Sequence, residues 1–232
     1  RVLGFGLDTI VKAPVDAFGR VDPDRLPPLD DRTILCLQAG EVNTGEFDPF
    51  AEILPRARAA GTWVHVDGAF GLWTKLNPRL RHLAEGAELA DSWTVDGHKW
   101  LNTPYDGSIG ICRKAGALSE AMNSDAAYSS ASPDSQKNLG IEFSRRARGI
   151  AIWAALRSLG RRGVAEMLER HCRQARRLAD TLEGAGATVL NRVVLNQVLF
   201  RLETDDATRA FTERAVGTGK IWFGPTVWQG RT

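Results

Sequence analysis

The sequence of residues 91–107 is DSWTVDGHKWLNTPYDG, and its one lysine, Lys99, lies between a histidine and a tryptophan. Lysine is usually solvated, so an ammonium group among aromatic and apolar neighbours calls for a chemical explanation. Residues 90–96 form a β-prone run that ends at Asp96-Gly97, a dipeptide typical of turns. The pattern predicts a strand and places Lys99 just beyond its carboxyl end.

A second predicted strand with a charged residue at its end lies upstream, in the segment TWVHVDGAFG of residues 62–71. Asp67 stands where this strand stops, 32 residues before Lys99, a separation that suits one helix-plus-strand unit. In a doubly wound sheet, ligands bind at the carboxyl ends of the parallel strands. We therefore expect Asp67 and Lys99 to emerge at the same edge of one sheet.

The rest of the first half of the chain alternates predicted strands with predicted helices. Residues 33–38 are an unbroken apolar run, which is typical of a strand buried on both faces. Asp48-Pro49 predicts a helix with Asp48 as its N-cap and an end at Gly61. Further strands are predicted for 2–7, 9–12 and 108–113, and a further helical stretch for 78–85. This alternation predicts an α/β fold, with a mainly parallel sheet and helices on both faces.

The pattern changes after about Arg145. Residues 146–160 and 163–186 are predicted to be helical, and the second stretch carries an apolar stripe at helical spacing, formed by Val164, Met167, Leu168, Cys172, Ala175, Leu178 and Leu182. Strands at 188–190 and 195–202 and a helix at 206–216 follow. We predict part of a large domain over residues 1–148 and part of a smaller α+β C-terminal domain over 149–232.

Composition excludes several classes of protein. Hydrophobic residues make up 43 % of the chain and the net charge is +2, so a packed core is expected and nucleic acid is not expected as a partner. The arginine-rich runs are interpreted as solvated helix faces or termini. No apolar run reaches the length of a membrane span, and three scattered cysteines favour neither disulfides nor zinc, which predicts a cytoplasmic protein. The abrupt ends lead us to expect a fragment of a longer polypeptide.

Three explanations fit an acid and a lysine at one sheet edge. The first is a structural ion pair, which gains little when both charges are desolvated. The second is a metal site in which His65, Asp67 and His98 are ligands, although no HExxH-like or cysteine-based set accompanies them. The third is pyridoxal phosphate, which needs a lysine for a Schiff base and a carboxylate that keeps the pyridine nitrogen protonated. A partly desolvated Lys99 would suit the third.

Three motifs, TWVHVDGAFG, LADSWTVDGHKWLNTPYD and NTGEFDPF, together with the later FSRRARGIAIWAALRSLG, resemble the group II pyridoxal-phosphate-dependent decarboxylases. This family includes the aromatic-L-amino-acid and glutamate decarboxylases. The resemblance covers most of the chain and keeps the spacing between motifs. It implies a fold type I large domain and a homodimer with active sites at the subunit interface.

The resemblance also implies roles for individual residues. Lys99 is similar to the Schiff-base lysine, Asp67 to the partner of the ring nitrogen, and Ala69 to the small residue packed under the ring. His98 resembles the histidine near the phosphate and the substrate carboxylate, although a hydrogen-bonded structural histidine is the alternative. Ser144 is similar to a residue that contacts the phosphate of the neighbouring subunit.

Tyr128, 29 residues after Lys99, resembles the tyrosine of the family's catalytic loop, which protonates Cα after carbon dioxide leaves. An ordinary loop tyrosine is the alternative. Asp96 stands at a phosphate-side position of the family, where an anion would repel the phosphate, so we expect it to cap backbone N–H groups. Val42 stands where several members carry threonine, and the family's ring-stacking residue and phosphate segment do not appear in this sequence.

The resemblance implies decarboxylation of an L-amino acid to its amine, with aromatic amino acids among the candidate substrates. Lyase, aldehyde-synthase and aminotransferase chemistry on the same scaffold are the alternatives. So is a non-catalytic remnant that lacks part of the cofactor site.

Overall fold

The computed structural model describes residues 4–114, 116–122, 135–142 and 144–231. Four strands form one sheet in the order β1-β2-β3-β4: β1 (Ile34–Gln38), β2 (Trp63–Asp67), β3 (Ser92–Asp96) and β4 (Ser108–Cys112). The first three strands are parallel, and β4 pairs antiparallel with β3. The predicted mainly parallel sheet is therefore confirmed.

The helices are α1 (Phe50–Ala59), α2 (Ala117–Met122), α3 (Arg148–Gly184) and α4 (Asp205–Gly217). Gly160 has non-helical angles, φ 62° and ψ 177°, and divides α3 into the two helical stretches that the sequence predicts. A short antiparallel pair, β5 (Thr188–Val189) and β6 (Phe200–Arg201), precedes α4. Residues 78–85, predicted to be helical, contain a short 3-10 helix, Arg81–Ala84. The domain boundary near residue 148 stays a prediction.

Within the described ranges, no helix is both long and apolar enough to cross a bilayer.

The core lies on one face of the sheet. Leu37, Val64 and Val66 are fully buried there and belong to the same cluster as residues of α1 and α3, namely Phe50, Ile53, Leu54, Val164, Leu168 and Cys172. Each fully buried Leu, Ile or Val side chain contributes about 1.5–3 kcal/mol to folding. This packing holds the strand ends, and the loops that follow them, in fixed positions.

The opposite face of β1 and β2 is exposed apart from the half-buried His65, which corrects the prediction that residues 33–38 are buried on both faces. Burial alternates along β1, so that Leu35 and Leu37 face the core while Ile34, Cys36 and Gln38 are exposed. Successive strand side chains point to opposite faces, and within the described residues the core helices pack against only one of them. Asp67 lies on the exposed face, in register with Gln38.

The strands predicted near the N-terminus are wrong for the residues that the structure describes there. Residues 4–12 contain no strand, and Val15 and Val21 form only an isolated bridge. Gly4 and Gly6 have φ values of 80° and 78°, which interrupt an extended backbone. Phe5, the one residue between these glycines, and the β-prone residues 9–12 are exposed and belong to no strand.

Asp48 does not cap α1, which corrects a second prediction. The N-cap is Pro49, without a side-chain bond. Asp48 is 5 % exposed, and its Oδ1 accepts the Val21 N–H at 2.7 Å while Oδ2 accepts the Gln38 N–H at 2.6 Å. Burial raises the pKa of this carboxyl, and the two N–H bonds oppose that shift. The side chain therefore joins the N-terminal segment to the last residue of β1.

We expect Asp48→Ala to lower the free energy of unfolding by about 1–3 kcal/mol, because two backbone N–H groups lose their acceptor. Chemical denaturation of the full-length protein measures this change. Asp24→Ala, at an exposed carboxylate, is the matched control and should leave the midpoint unchanged. An equal midpoint for both variants would show that Asp48 does not stabilise the end of β1.

Candidate active site

Asp67 is the last residue of β2, and its carboxylate is exposed at the carboxyl edge of the sheet. Its Oδ1 accepts the Ala69 N–H at 3.0 Å. Gly68 follows and donates its N–H to Thr94 O at 2.9 Å, which ties the turn to β3. A Cβ at Gly68 would lie 2.5 Å from Leu72 Cβ, so only glycine allows this close approach. The turn thereby fixes where the carboxylate stands.

Lys99 lies in the loop after β3 and reaches the same edge. Its Nζ is 3.1 Å from Asp96 Oδ2 and 5.0 Å from the centroid of the Phe70 ring, and its side chain is 35 % exposed. Phe70 belongs to the turn that follows Asp67, so the structure brings the two predicted segments together. An ion pair and a cation–π contact hold the ammonium group at a solvent-accessible position.

Asp96 makes contacts different from those expected. Its Oδ1 accepts from Ser108 Oγ at 2.6 Å, and its Oδ2 lies between Lys99 Nζ and His98 Nε2. The backbone N–H groups of the next two residues, Gly97 and His98, both donate to Gly107 O and not to this carboxylate. Asp96 and Ser108 are register partners on β3 and β4, which places the hydroxyl within reach of the carboxylate. Asp96 is thus a partner of Lys99 and not a backbone cap.

His98 is mostly buried beside this pair. Its Nδ1 is 2.8 Å from Gly107 O, so Nδ1 carries the proton, and its Nε2 is 3.4 Å from Asp96 Oδ2. The centroid of the His98 ring lies 4.4 Å from the centroid of the Tyr105 ring. These contacts hold the His98 ring in the loop and leave Nε2 directed towards Asp96, and the role of His98 at the cofactor stays a prediction.

The family model described as "Pyridoxal-dependent decarboxylase conserved domain" matches residues 30–203, three quarters of the chain. The chain belongs to the pyridoxal-dependent decarboxylase family. The predicted family and the predicted fold class are thereby confirmed.

Individual proteins to which the chain is similar carry names that fit this family. An aromatic-L-amino-acid decarboxylase of Drosophila lebanonensis is 30% identical over 193 residues, which are 80% of this chain and 48% of that protein. A 3,4-dihydroxyphenylacetaldehyde synthase of Aedes aegypti is 26% identical over 206 residues, 85% of this chain and 39% of its own length. The crystal structure of Oryza sativa TDC with PLP and tryptamine matches with a TM-score of 0.88 and 25% identity, covering 99% of this chain and 53% of that chain. This chain therefore spans about half the length of its relatives, or less.

The metal-site explanation finds no support in the described part of this decarboxylase-family chain. There, no three His, Cys, Asp or Glu side chains are grouped so that they could hold a metal ion. His65 Nδ1 lies 2.8 Å from Ser92 Oγ, and its Nε2 lies 3.5 Å from Thr94 Oγ1. Burial lowers the pKa of His65, and the neighbouring Asp67 opposes that shift. His65 therefore contacts two hydroxyl groups of β3 beside Asp67.

The remaining predicted site residues differ in what the structure shows of them. Ala69 is half-buried and donates its N–H to Asp67. Ser144 is exposed just before α3. Tyr128 lies outside the described residues. The roles assigned to these residues in the decarboxylase site stay predictions.

Two sets of contacts in this decarboxylase-family chain were missed by sequence reasoning. Asp106, in the loop after Lys99, pairs with Arg146 at 2.9 Å and with Arg148 at 2.8 Å, and bonding to Arg148 lowers the pKa of Asp106. Trp100 donates its indole N–H to His171 Nδ1 at 2.9 Å. The aspartate that follows the HKW motif was the available signal for the ion pairs of Asp106. No local pattern indicates the bond between Trp100 and His171.

Proposed function

We propose that the full-length protein decarboxylates an L-amino acid with pyridoxal phosphate, and that aromatic amino acids are its substrate class. The observation that carries the proposal is the position of Lys99, whose amine stands at the carboxyl edge of the sheet beside the turn that begins at Asp67. The aromatic-L-amino-acid decarboxylase of Drosophila lebanonensis supports the substrate class.

The residues at the edge suit this cofactor. An aldehyde requires an accessible primary amine, and Lys99 is one-third exposed. A pyridine nitrogen requires an accessible carboxylate, and Asp67 is exposed with one oxygen oriented by the Ala69 N–H. Lys99 would hold the cofactor covalently, and Asp67 would bind its ring nitrogen. When bound, the cofactor supplies an electron sink for the pair of electrons left at Cα when a bond to it breaks.

The chain's own residues would keep the ring nitrogen protonated and would orient the Lys99 amine. Asp67 would keep a proton on the pyridine nitrogen, because an adjacent carboxylate favours the protonated form. Asp96 Oδ2 lies 3.1 Å from Lys99 Nζ, and it is the nearby base towards which the ammonium is directed. The Gly107 carbonyl holds the His98 ring in place through Nδ1, so that Nε2 faces the same carboxylate. Lys99 would thus be oriented before the cofactor binds.

A second candidate function is oxidative formation of an aldehyde on the same scaffold. The Aedes aegypti relative, named as a 3,4-dihydroxyphenylacetaldehyde synthase, favours it. Other lyase or aminotransferase outcomes, and a non-catalytic role, remain as the further alternatives. The family resemblance also supports a homodimer with Ser144 near the partner's phosphate. A cytoplasmic location stays a prediction from the three scattered cysteines.

Product analysis of the full-length protein distinguishes these functions. The protein, loaded with pyridoxal phosphate, is supplied with L-tyrosine, L-DOPA, L-tryptophan or L-glutamate. We expect one amine per carbon dioxide from an aromatic substrate, with no dioxygen consumed. Aldehyde, ammonia and hydrogen peroxide formed with uptake of one dioxygen would show the synthase reaction instead. Loaded protein that releases no carbon dioxide from any of the four would contradict the proposal.

Tyr128 provides a prediction about reaction type. Once carbon dioxide has left, Cα needs one proton, and a positioned phenol can deliver it with an advantage of about a hundred- to ten-thousand-fold. We expect Tyr128→Phe to slow amine release by roughly that factor and to divert product towards aldehyde and ammonia, with one dioxygen reduced to hydrogen peroxide for each aldehyde, measured by chromatography of both products.

The chain's other tyrosine supplies the matched control. Tyr105→Phe keeps the ring that packs on His98, so it should retain most of the amine-forming rate and make no aldehyde. Amine formed at the wild-type rate by Tyr128→Phe would show that Tyr128 is not the proton donor.

A further inference from the structure

A hydrogen bond links the Lys99 loop to the long helix α3. Trp100 is 5 % exposed, and its Nε1–H donates to Nδ1 of His171 at 2.9 Å, with the two ring planes within 1° of each other. His171 lies 71 residues further along the chain and is half-buried. The indole N–H is a donor only, so its burial requires an acceptor from another element. His171 supplies that acceptor.

Contacts of the Trp100 ring extend this link to the turn of Asp67 and to the loop of Lys99. The Trp100 ring meets the Phe70 ring edge-on, with the centroids 6.2 Å apart, and Lys99 Nζ lies 5.0 Å over the Phe70 centroid. Phe70 comes three residues after Asp67 in the sequence. A series of three rings, His171, Trp100 and Phe70, therefore joins α3 to the turn of Asp67 and to the loop of Lys99.

The ionisation of His171 suits this bond. Nδ1 can accept a hydrogen bond from the indole N–H only when Nδ1 itself carries no proton. Burial, with a further contribution from the neighbouring Arg170, lowers the pKa of His171 and favours the neutral ring. The same lone pair cannot accept from solvent while Trp100 uses it.

We infer that His171 is a positioning residue for the cofactor site. It fixes Trp100, and through Trp100 it fixes Phe70, so that the Lys99 amine and the Asp67 carboxylate keep their relative positions. The catalytic meaning of this role rests on the proposed function, whereas the contact itself does not. The experiment below therefore includes a measurement on the cofactor-free protein.

Three variants of the full-length protein separate the hydrogen bond from side-chain size. His171→Leu removes the acceptor, and His171→Asn restores an acceptor near the position of Nδ1. Gln174→Leu makes a comparable change at an exposed position of the same helix. Asparagine is a poorer helix former than leucine, so rescue by His171→Asn cannot come from helix propensity.

Hydrogen exchange of the cofactor-free protein is the first measurement. The amides of Gly97 and His98 donate to Gly107 O, and that of Thr103 donates to Gly97 O, so their exchange reports opening of the Lys99 loop. We expect exchange roughly three- to tenfold faster in His171→Leu, the factor that one neutral hydrogen bond gives. His171→Asn and Gln174→Leu should stay within about twofold of wild type.

Cofactor retention is the second measurement. The dissociation constant for pyridoxal phosphate should rise roughly three- to tenfold in His171→Leu and in Trp100→Phe. The constant of the double variant should be no larger than that of the single variant that binds the cofactor less tightly. Equal losses in His171→Leu and His171→Asn, additive losses in the double variant, or unchanged exchange in His171→Leu would overturn the inference. If wild-type protein binds no pyridoxal phosphate, the proposed function fails, and the exchange measurement alone decides the role of His171.

Discussion

Replacement of Lys99 by alanine should abolish covalent retention of pyridoxal phosphate by the full-length protein and lower the rate of decarboxylation on the order of 10⁴-fold or more. The side chain would be both the attachment point and the amine that the substrate displaces. Absorbance after gel filtration and the rate of carbon dioxide release measure the two effects.

Lys114→Ala is the matched control for this variant. Lys114 is an exposed lysine whose Nζ lies 3.5 Å from Glu120, so its removal should change neither the absorbance nor the rate. Wild-type absorbance in Lys99→Ala after gel filtration would assign the cofactor to another residue.

Asp67→Asn should lower turnover by roughly three orders of magnitude while part of the cofactor binding remains. An amide cannot hold the pyridine nitrogen protonated as a carboxylate does, so the ring would accept electrons from Cα less readily. The Asp67 side chain is exposed on the strand end, and the Ala69 N–H can still bind the amide oxygen, so the fold should persist. Single-turnover kinetics with saturating cofactor measures the loss.

Asp31→Asn changes another exposed acid in the same way and should leave turnover unaffected. Near-normal turnover in Asp67→Asn would show that the carboxylate has a structural role only. Equal thermal stability of both variants would exclude unfolding as the cause of any loss.

The positions of Asp67 and Lys99 could be predicted because the signals are local. Each lies at or just after the end of a short β-prone run, and one helix-plus-strand unit separates them, which suffices to place both at the same edge of a parallel sheet. The turn glycines and the spacing between the motifs are also visible in the sequence. The structure agrees with this part of the account through the contact between Lys99 and Phe70.

Other features depend on partners distant in sequence, and no local pattern specifies them. Asp48 has the sequence context of an N-cap, yet its oxygens bind the N–H groups of Val21, 27 residues away, and Gln38, 10 residues away. Asp96 was expected to cap the backbone, but the antiparallel register places Ser108 opposite it.

The burial of β1 shows a related limit. An apolar run predicts a strand, but which of its faces is covered depends on the elements packed against it. In the described residues, the side of Leu35 and Leu37 is covered and that of Ile34 and Cys36 is exposed. The proposed function rests on the family resemblance and not on the periodicity of the strand.

The central claim is that Lys99 holds the cofactor. Borohydride reduction of the full-length protein loaded with pyridoxal phosphate, followed by peptide mass spectrometry, tests it most directly, since reduction makes the link between cofactor and amine permanent. The account predicts a single phosphopyridoxyl group on the peptide that contains Lys99 and none on peptides that contain Lys75 or Lys114. A modified lysine elsewhere, with Lys99 unmodified, would contradict it.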